Sequence, residues 1–145
     1  KEHFLAMLFL AVQVAPKRLH MDLKEAYTRP RPAHPELERL TDFSFPSGHA
    51  LATTTIVVMI LFLVTAYSKS KRLNYGAVVG GGFFVFSIMA SRVMLGVHHW
   101  LDVLAGFLFG LAWGSVGCAI CEWRRPKLIA KPTWNPVTGV PILPR

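Results

Sequence analysis

Three groups of residues, far apart along the chain, carry the charges and imidazoles that a bound phosphate would need. They are Lys24 with Arg31 and Pro32, then Pro46, Ser47, Gly48 and His49, then Ser91 and Arg92 followed by His98 and Asp102. Cations to hold phosphoryl oxygens, histidines to attack and to move a proton, and a carboxylate to orient one of them make up a set that can pass a phosphoryl group through a histidine.

His98 and Asp102 stand four positions apart, the spacing that places two side chains on one helical face. A carboxylate accepting a hydrogen bond from one ring nitrogen fixes the imidazole tautomer and leaves the other nitrogen free to attack. Taken alone, the pair reads equally well as a helix-capping aspartate and an interfacial histidine. His99 points elsewhere on the helix and has a structural reading. Pro46, Ser47, Gly48 and His49 immediately precede an apolar run, and a helix start presents unpaired backbone N–H groups with a positive dipole end. Gly48 would let the backbone approach a phosphate, and Ser47 could add its hydroxyl or simply serve as the N-cap. His49 is placed to give a proton to a departing oxygen.

Lys24, Arg31 and Arg92 supply positive charge where electrostatics dominate phosphoryl transfer. Arg92 follows a long apolar stretch, and an arginine deep in a membrane costs roughly 2.5 to 3.5 kcal/mol, so it should face a polar interior and a partner. Snorkelling to the interface is the alternative. Arg29 fits a surface role better than Arg31 does, given the spacing to Lys24 and the following Pro32.

The elements that must position these residues are read from hydropathy. The chain has 145 residues, 52% of them hydrophobic, and a mean hydropathy of +0.40. The runs 50–67, 76–97 and 101–121 are almost uncharged and of roughly 18 to 22 residues, enough at about 1.5 Å per residue to cross a hydrocarbon core of about 30 Å. None shows the polar stripe of a half-exposed helix. The expectation is an all-α transmembrane helical bundle forming one domain over 1–145, with a partial helix at 4–15 and an irregular tail at 124–145. Because 4–15 is too short to span and the chain starts at Lys1, it reads as an N-terminally truncated fragment. Between the first two apolar runs, Pro30, Pro32 and Pro35 forbid a continuous helix, so 16–45 should hold short helical turns and an extended loop. The stretch 68–75 reads as a tight polar connection. Gly80 to Gly82, and Gly110 with Gly114, permit close helix packing. The helix directions bring all three motif clusters to one membrane face.

A net charge of +8 raises nucleic acid as a partner, but the basic residues fall at helix ends and inside the motifs without forming a stripe, so nucleic-acid binding is not supported. Cys118 and Cys121 lack partner cysteines and read as small packing residues.

Lys24, six residues, Arg31-Pro32; then Pro46-Ser47-Gly48-His49; then Ser91-Arg92, five residues, His98, three residues, Asp102: this ordered pattern resembles the three-part signature of the type 2 phosphatidic acid phosphatase (PAP2) superfamily, membrane-bound lipid phosphatase branch. The resemblance implies a phosphohistidine on His98, support from Asp102, leaving-group protonation by His49, and phosphate binding by Lys24, Arg31, Ser47, Gly48 and Arg92. It implies neither a metal nor a cofactor. The chain departs from many bacterial members in having Trp100-Leu101 where they carry Pro-Ser, and from the usual six transmembrane helices in offering three and a piece of another.

The substrate class implied is a lipid phosphate or diphosphate whose tail stays in the bilayer; phosphatidic acid, phosphatidylglycerol phosphate and undecaprenyl diphosphate all qualify. Lys69, Lys71, Arg72, Arg124, Arg125, Lys127 and Lys131 outnumber the free basic residues of the motif face, so the positive-inside rule turns the site toward the periplasm, exterior or lumen. Two rival readings stand beside hydrolysis: transfer of the phosphoryl group to a lipid acceptor, and a catalytically silent protein that binds or transports lipid phosphates. The sequence does not define an oligomeric state.

Overall fold

The computed structural model describes residues 2–33, 42–129, 133–134 and 141–142. Five helices follow one another: α1 Glu2–Val14, α2 Pro16–Tyr27, α3 Gly48–Tyr67, α4 Lys71–Met94 and α5 Trp100–Ile129. A two-residue antiparallel pairing of β1 Thr133–Trp134 with β2 Pro141–Ile142 is the one exception to helix among the described elements. Three stretches, Gly48–Tyr67, Lys71–Met94 and Trp100–Trp123, are long and apolar enough to cross a membrane.

The central contact is α3 against α5. It depends on small residues of α5 spaced one helical turn apart, since a Cβ on Gly106 would lie 2.4 Å from the Ser47 carbonyl oxygen and one on Gly110 would lie 2.7 Å from that of Leu51. Without a hydrophobic drive between helices in lipid, such close backbone approach is what packs them. Thr54 and Thr55 are buried in the same seam; the Thr55 hydroxyl donates to the Leu51 carbonyl one turn back at 2.9 Å, so it adds no unpaired group to the interface. Of the glycine triplet in α4, Gly81 meets Val57, whereas Gly80 and Gly82 face open space.

Helix α1 closes the opposite side of the pair. The Trp113 indole donates to the Val12 carbonyl at 2.8 Å, satisfying an oxygen left unpaired near a helix end, and Val12, Met59 and Cys121 form a buried cluster with Phe9, Phe62, Trp113 and Cys118 against it. Both cysteines are free, with Cys121 in the packing role read from sequence. Helix α4 is peripheral: Val85 is its one buried residue, while Phe83, Phe84 and Phe86 are exposed.

Element ends differ from the hydropathy reading. Helix α4 begins at Lys71, inside the expected polar connection, because the Ser70 hydroxyl accepts the Leu73 N–H and caps it. It ends at Met94, before 97, because Gly96 adopts φ 64°, the left-handed conformation that closes helices. Helix α5 runs to Ile129, so the expected irregular tail is helical over its first residues; 130–132, 135–140 and 143–145 lie outside the described residues, as does Pro35. Within 16–45, α2 is a full helix of 12 residues and not a series of short turns. Apolarity marks membrane depth, and helices extend past it wherever a cap allows.

Candidate functional site

The site is assembled at the end of the bundle where α3 begins, α4 ends and α5 begins. Helix α2 ends at Tyr27, and its capping residue Thr28 takes φ 43° and returns its N–H to the Lys24 carbonyl at 3.0 Å. From there the chain runs without helix through Arg29, Pro30 and Arg31, and is clasped by the segment that leads into α3. The Ser44 N–H donates to the Arg29 carbonyl at 2.9 Å, the buried Ser44 hydroxyl to the Pro30 carbonyl at 3.0 Å, and the Arg31 Nε to the Asp42 carbonyl at 3.2 Å. Prolines at 30 and 32 cannot donate, so Ser44 and Arg31 supply the cross-links.

Helix α3 starts on Gly48 with Ser47 as its N-cap, the hydroxyl facing the Ala50 N–H at 3.5 Å. Ser47 is fully buried, and its own N–H donates to the Asp102 carbonyl at 2.9 Å, which pins the start of α3 to the first turn of α5. Gly48 also answers a local need: a Cβ there would come within 2.9 Å of the His20 ring, whose Nε2 lies 3.0 Å from the Pro46 carbonyl. His20 thus buttresses the motif loop from α2. Burial lowers its affinity for a proton, with the Pro46 carbonyl pulling the other way. His49, one residue further on, is exposed.

Asp102 lies in the first turn of α5 with its side chain fully buried. One carboxylate oxygen accepts the His99 backbone N–H at 2.8 Å, the reach of a third-position acid back to the cap that stabilises helix starts. The other accepts from Arg29 Nη1 at 2.9 Å. Arg29, read as a surface residue from its spacing, is therefore the ionic partner of the deepest carboxylate in the site. His98 Nδ1 stands 3.8 Å from Asp102 Oδ2, ion-pair range but beyond a hydrogen bond, and that nitrogen is buried with no hydrogen-bond partner. Asp102 therefore makes the capping contact, while the hydrogen bond to His98 that the orienting reading calls for is not formed in this structure.

His98 is 5% exposed. Burial pushes its pKa down to about 4, the Arg31 charge adds to this and Lys24 adds less, while the Ser44 carbonyl and Asp102 pull it back up. At neutral pH the ring is uncharged, the form that keeps a lone pair for attack.

Lys24 is 5% exposed. Its ammonium donates to the Phe43 carbonyl at 2.7 Å and to the Asp42 carboxylate. Arg31 donates through Nη1 to the Val97 carbonyl at 2.8 Å, which ties the first motif to the third, and through Nη2 to the other Asp42 oxygen at 2.6 Å. Asp42, which the motif spacing does not flag, is held down to a pKa of about 2 by these two cations against the opposing effect of burial. Arg92, in the last turn of α4, bonds to Ser91 Oγ at 3.3 Å and makes no ion pair among the described residues. Among the described residues no group of three or more His, Cys, Asp or Glu could hold a metal ion.

The three clusters therefore meet in one place, with a neutral buried imidazole, an exposed imidazole and three cations around them. A sequence profile of the PAP2 superfamily matches residues 3–126, and the chain belongs to that superfamily. It is 35% identical over 109 residues to phosphatidylglycerophosphatase B of Bacillus subtilis (strain 168), covering 72% of this chain and 52% of that protein. It is 34% identical over 91 residues to sphingosine-1-phosphate phosphatase 1 of Mus musculus (59% and 21%), and 37% identical over 70 residues to undecaprenyl-diphosphatase of Sulfolobus acidocaldarius (48% and 30%). The crystal structure of a transmembrane PAP2-type phosphatidylglycerolphosphate phosphatase from Bacillus subtilis superposes with a TM-score of 0.72 at 32% identity, covering 81% of this chain and 59% of that one. The chain thus spans about half the length of the Bacillus relatives. With three membrane-crossing helices and this neighbour, it is an integral membrane protein.

Proposed function

We propose that the protein removes a terminal phosphate from a lipid phosphate or diphosphate by way of a phosphohistidine. The observation that carries the reading is His98: a buried imidazole whose Nδ1 stands 3.8 Å from the Asp102 carboxylate, with burial first and the Arg31 charge second favouring its uncharged form. Its other nitrogen forms the N–P bond as the ester P–O bond breaks, and His49 gives its proton to the departing lipid oxygen. His49 then takes a proton from water, which attacks the phosphorus, and the N–P bond breaks to release inorganic phosphate and neutral His98. Asp102 stabilises the ring while it carries positive charge. Lys24, Arg31 and Arg92, with the backbone at Ser47 and Gly48, hold the phosphoryl oxygens whose charge is spread in the transition state.

A lipid substrate is supported by the surroundings. Beside Arg29 opens a cleft of about 630 Å³ lined by Tyr27, Phe45, Leu101, Leu104 and Leu108, a surface suited to the first part of an acyl or prenyl chain. The activities carried in the names of the relatives fit the same class. The basic residues at 69, 71, 72, 124, 125 and 127 cluster toward the other helix ends, which supports a site facing the periplasm, exterior or lumen. Phosphate release from a panel of lipid phosphates and diphosphates, in membranes carrying the full protein or His98→Ala, tests the proposal. Release by the wild type and loss of at least a thousandfold in the variant are expected; equal release by both would refute the role of His98.

A further inference from the structure

Two of the three cations proposed to hold phosphate already share one carboxylate. Asp42 presents one carboxylate oxygen to Lys24 and the other to Arg31, spanning the pair as two oxygens of a phosphate would. The side chains of Lys24 and Arg31 are 6% and 13% exposed, whereas that of Asp42 is 47% exposed. An anion arriving from water therefore meets Asp42 before it meets the cations behind it. Counting the Phe43 and Val97 carbonyls and the Asp42 backbone, Lys24 already spends two of its three N–H donors and Arg31 three of its five. The carboxylate sits where a phosphate bridging both cations would sit, and like-charge repulsion disfavours holding the two anions there together.

We propose that Asp42 is an internal stand-in for phosphate, a resident carboxylate that every incoming phosphoryl group displaces and that returns to expel inorganic phosphate after turnover. The proposal rests on the phosphate seat of Lys24, Arg31 and Arg92 set out above. Displacement weakens the hold on any anion by the same factor. A lipid substrate recovers affinity through its chain, whereas free phosphate has no other handle. The device thus relieves product inhibition, and it leaves Arg92, the cation without a carboxylate partner among the described residues, as the first point of capture.

The test is binding of inorganic phosphate to the full protein in detergent, by calorimetry and as competitive inhibition of turnover. Asp42→Asn should bind phosphate at least tenfold more tightly than wild type, and Asp42→Glu, which restores the anion, should stay within threefold of it. Equal or weaker binding by Asp42→Asn, with the wild type still binding and Arg92→Gln binding less, overturns the proposal alone. Failure of every form to bind phosphate overturns it together with the phosphate seat. Should Asp42→Asn not fold, the wild type supplies the reading: with carboxyl-labelled aspartate, of which the chain has three, the Asp42 resonance should move on adding phosphate at neutral pH. A resonance that stays in place overturns the displacement.

Discussion

Replacing Arg29 by Met, which keeps the length of the side chain and removes its charge, should damage the protein through Asp102. In the wild type that carboxylate is fully buried and has two donors, the Arg29 guanidinium at 2.9 Å and the His99 N–H at 2.8 Å. Removing one partner of a buried ion pair costs about 3–5 kcal/mol, because the remaining charge keeps its desolvation penalty. The Arg29 side chain is 34% exposed, so water can reach the gap and the expectation falls to about 2–3 kcal/mol. Equilibrium unfolding in mixed micelles, followed by tryptophan fluorescence, reads this directly. The double variant with Asp102→Asn removes the stranded charge, so it should be more stable than Arg29→Met alone while remaining inactive. A single variant within about 0.5 kcal/mol of wild type, or a double variant as unstable as the two losses added together, would show that the pair does not carry the energy assigned to it.

Several independent expectations accompany this one. His98 should titrate near 4, read by its ring resonances, and Arg31→Gln should raise that value by removing a neighbouring positive charge; a midpoint at the ordinary 6.5 would remove the basis for a neutral nucleophile. Since its folded pKa lies below the unfolded one, the unfolded state binds more protons in between. Stability from this group is complete above about 6.5 and is lost as pH falls toward 4, by roughly 3 kcal/mol in total. Gly106→Ala should destabilise by about 1–3 kcal/mol through collision with the Ser47 carbonyl, whereas Gly80→Ala, which meets nothing, should be neutral or gain up to about 1 kcal/mol of helix propensity; equal effects in unfolding would contradict the packing. Gly48→Ala should reduce activity by pushing His20 off the Pro46 carbonyl, and His20→Ala, which removes the same contact, should add little to that loss in the double variant. Losses that multiply in turnover assays would place the role of Gly48 elsewhere.

The spans and their directions were legible because twenty apolar residues have few uses other than crossing a bilayer, and because the parity of crossings forces the clusters to one end. What spacing could not reveal were the contacts made from outside the signature. Asp42 lies in a polar segment whose charges all look alike in sequence, and only the folded connector brings it between Lys24 and Arg31. Distance from Lys24 gives Arg29 a surface reading; the turn at Thr28 instead directs it to Asp102, 73 positions away. A signal for His20 did exist in retrospect, since it lies one helical turn before Lys24 on α2 and so shares its face. The ends of α4 depart from the hydropathy pattern because Ser70 and Gly96, both visible in the sequence, outweigh it.

The central claim is that the phosphoryl group passes through the ring at position 98. Rapid mixing of the full protein with a lipid phosphate labelled in its terminal phosphate, followed by alkaline quench, tests it most directly. The account predicts an acid-labile, alkali-stable label on His98 that appears faster than phosphate is released and is absent from His98→Asn. Steady phosphate release with no label at any stage, or a label that persists in His98→Asn, would contradict it.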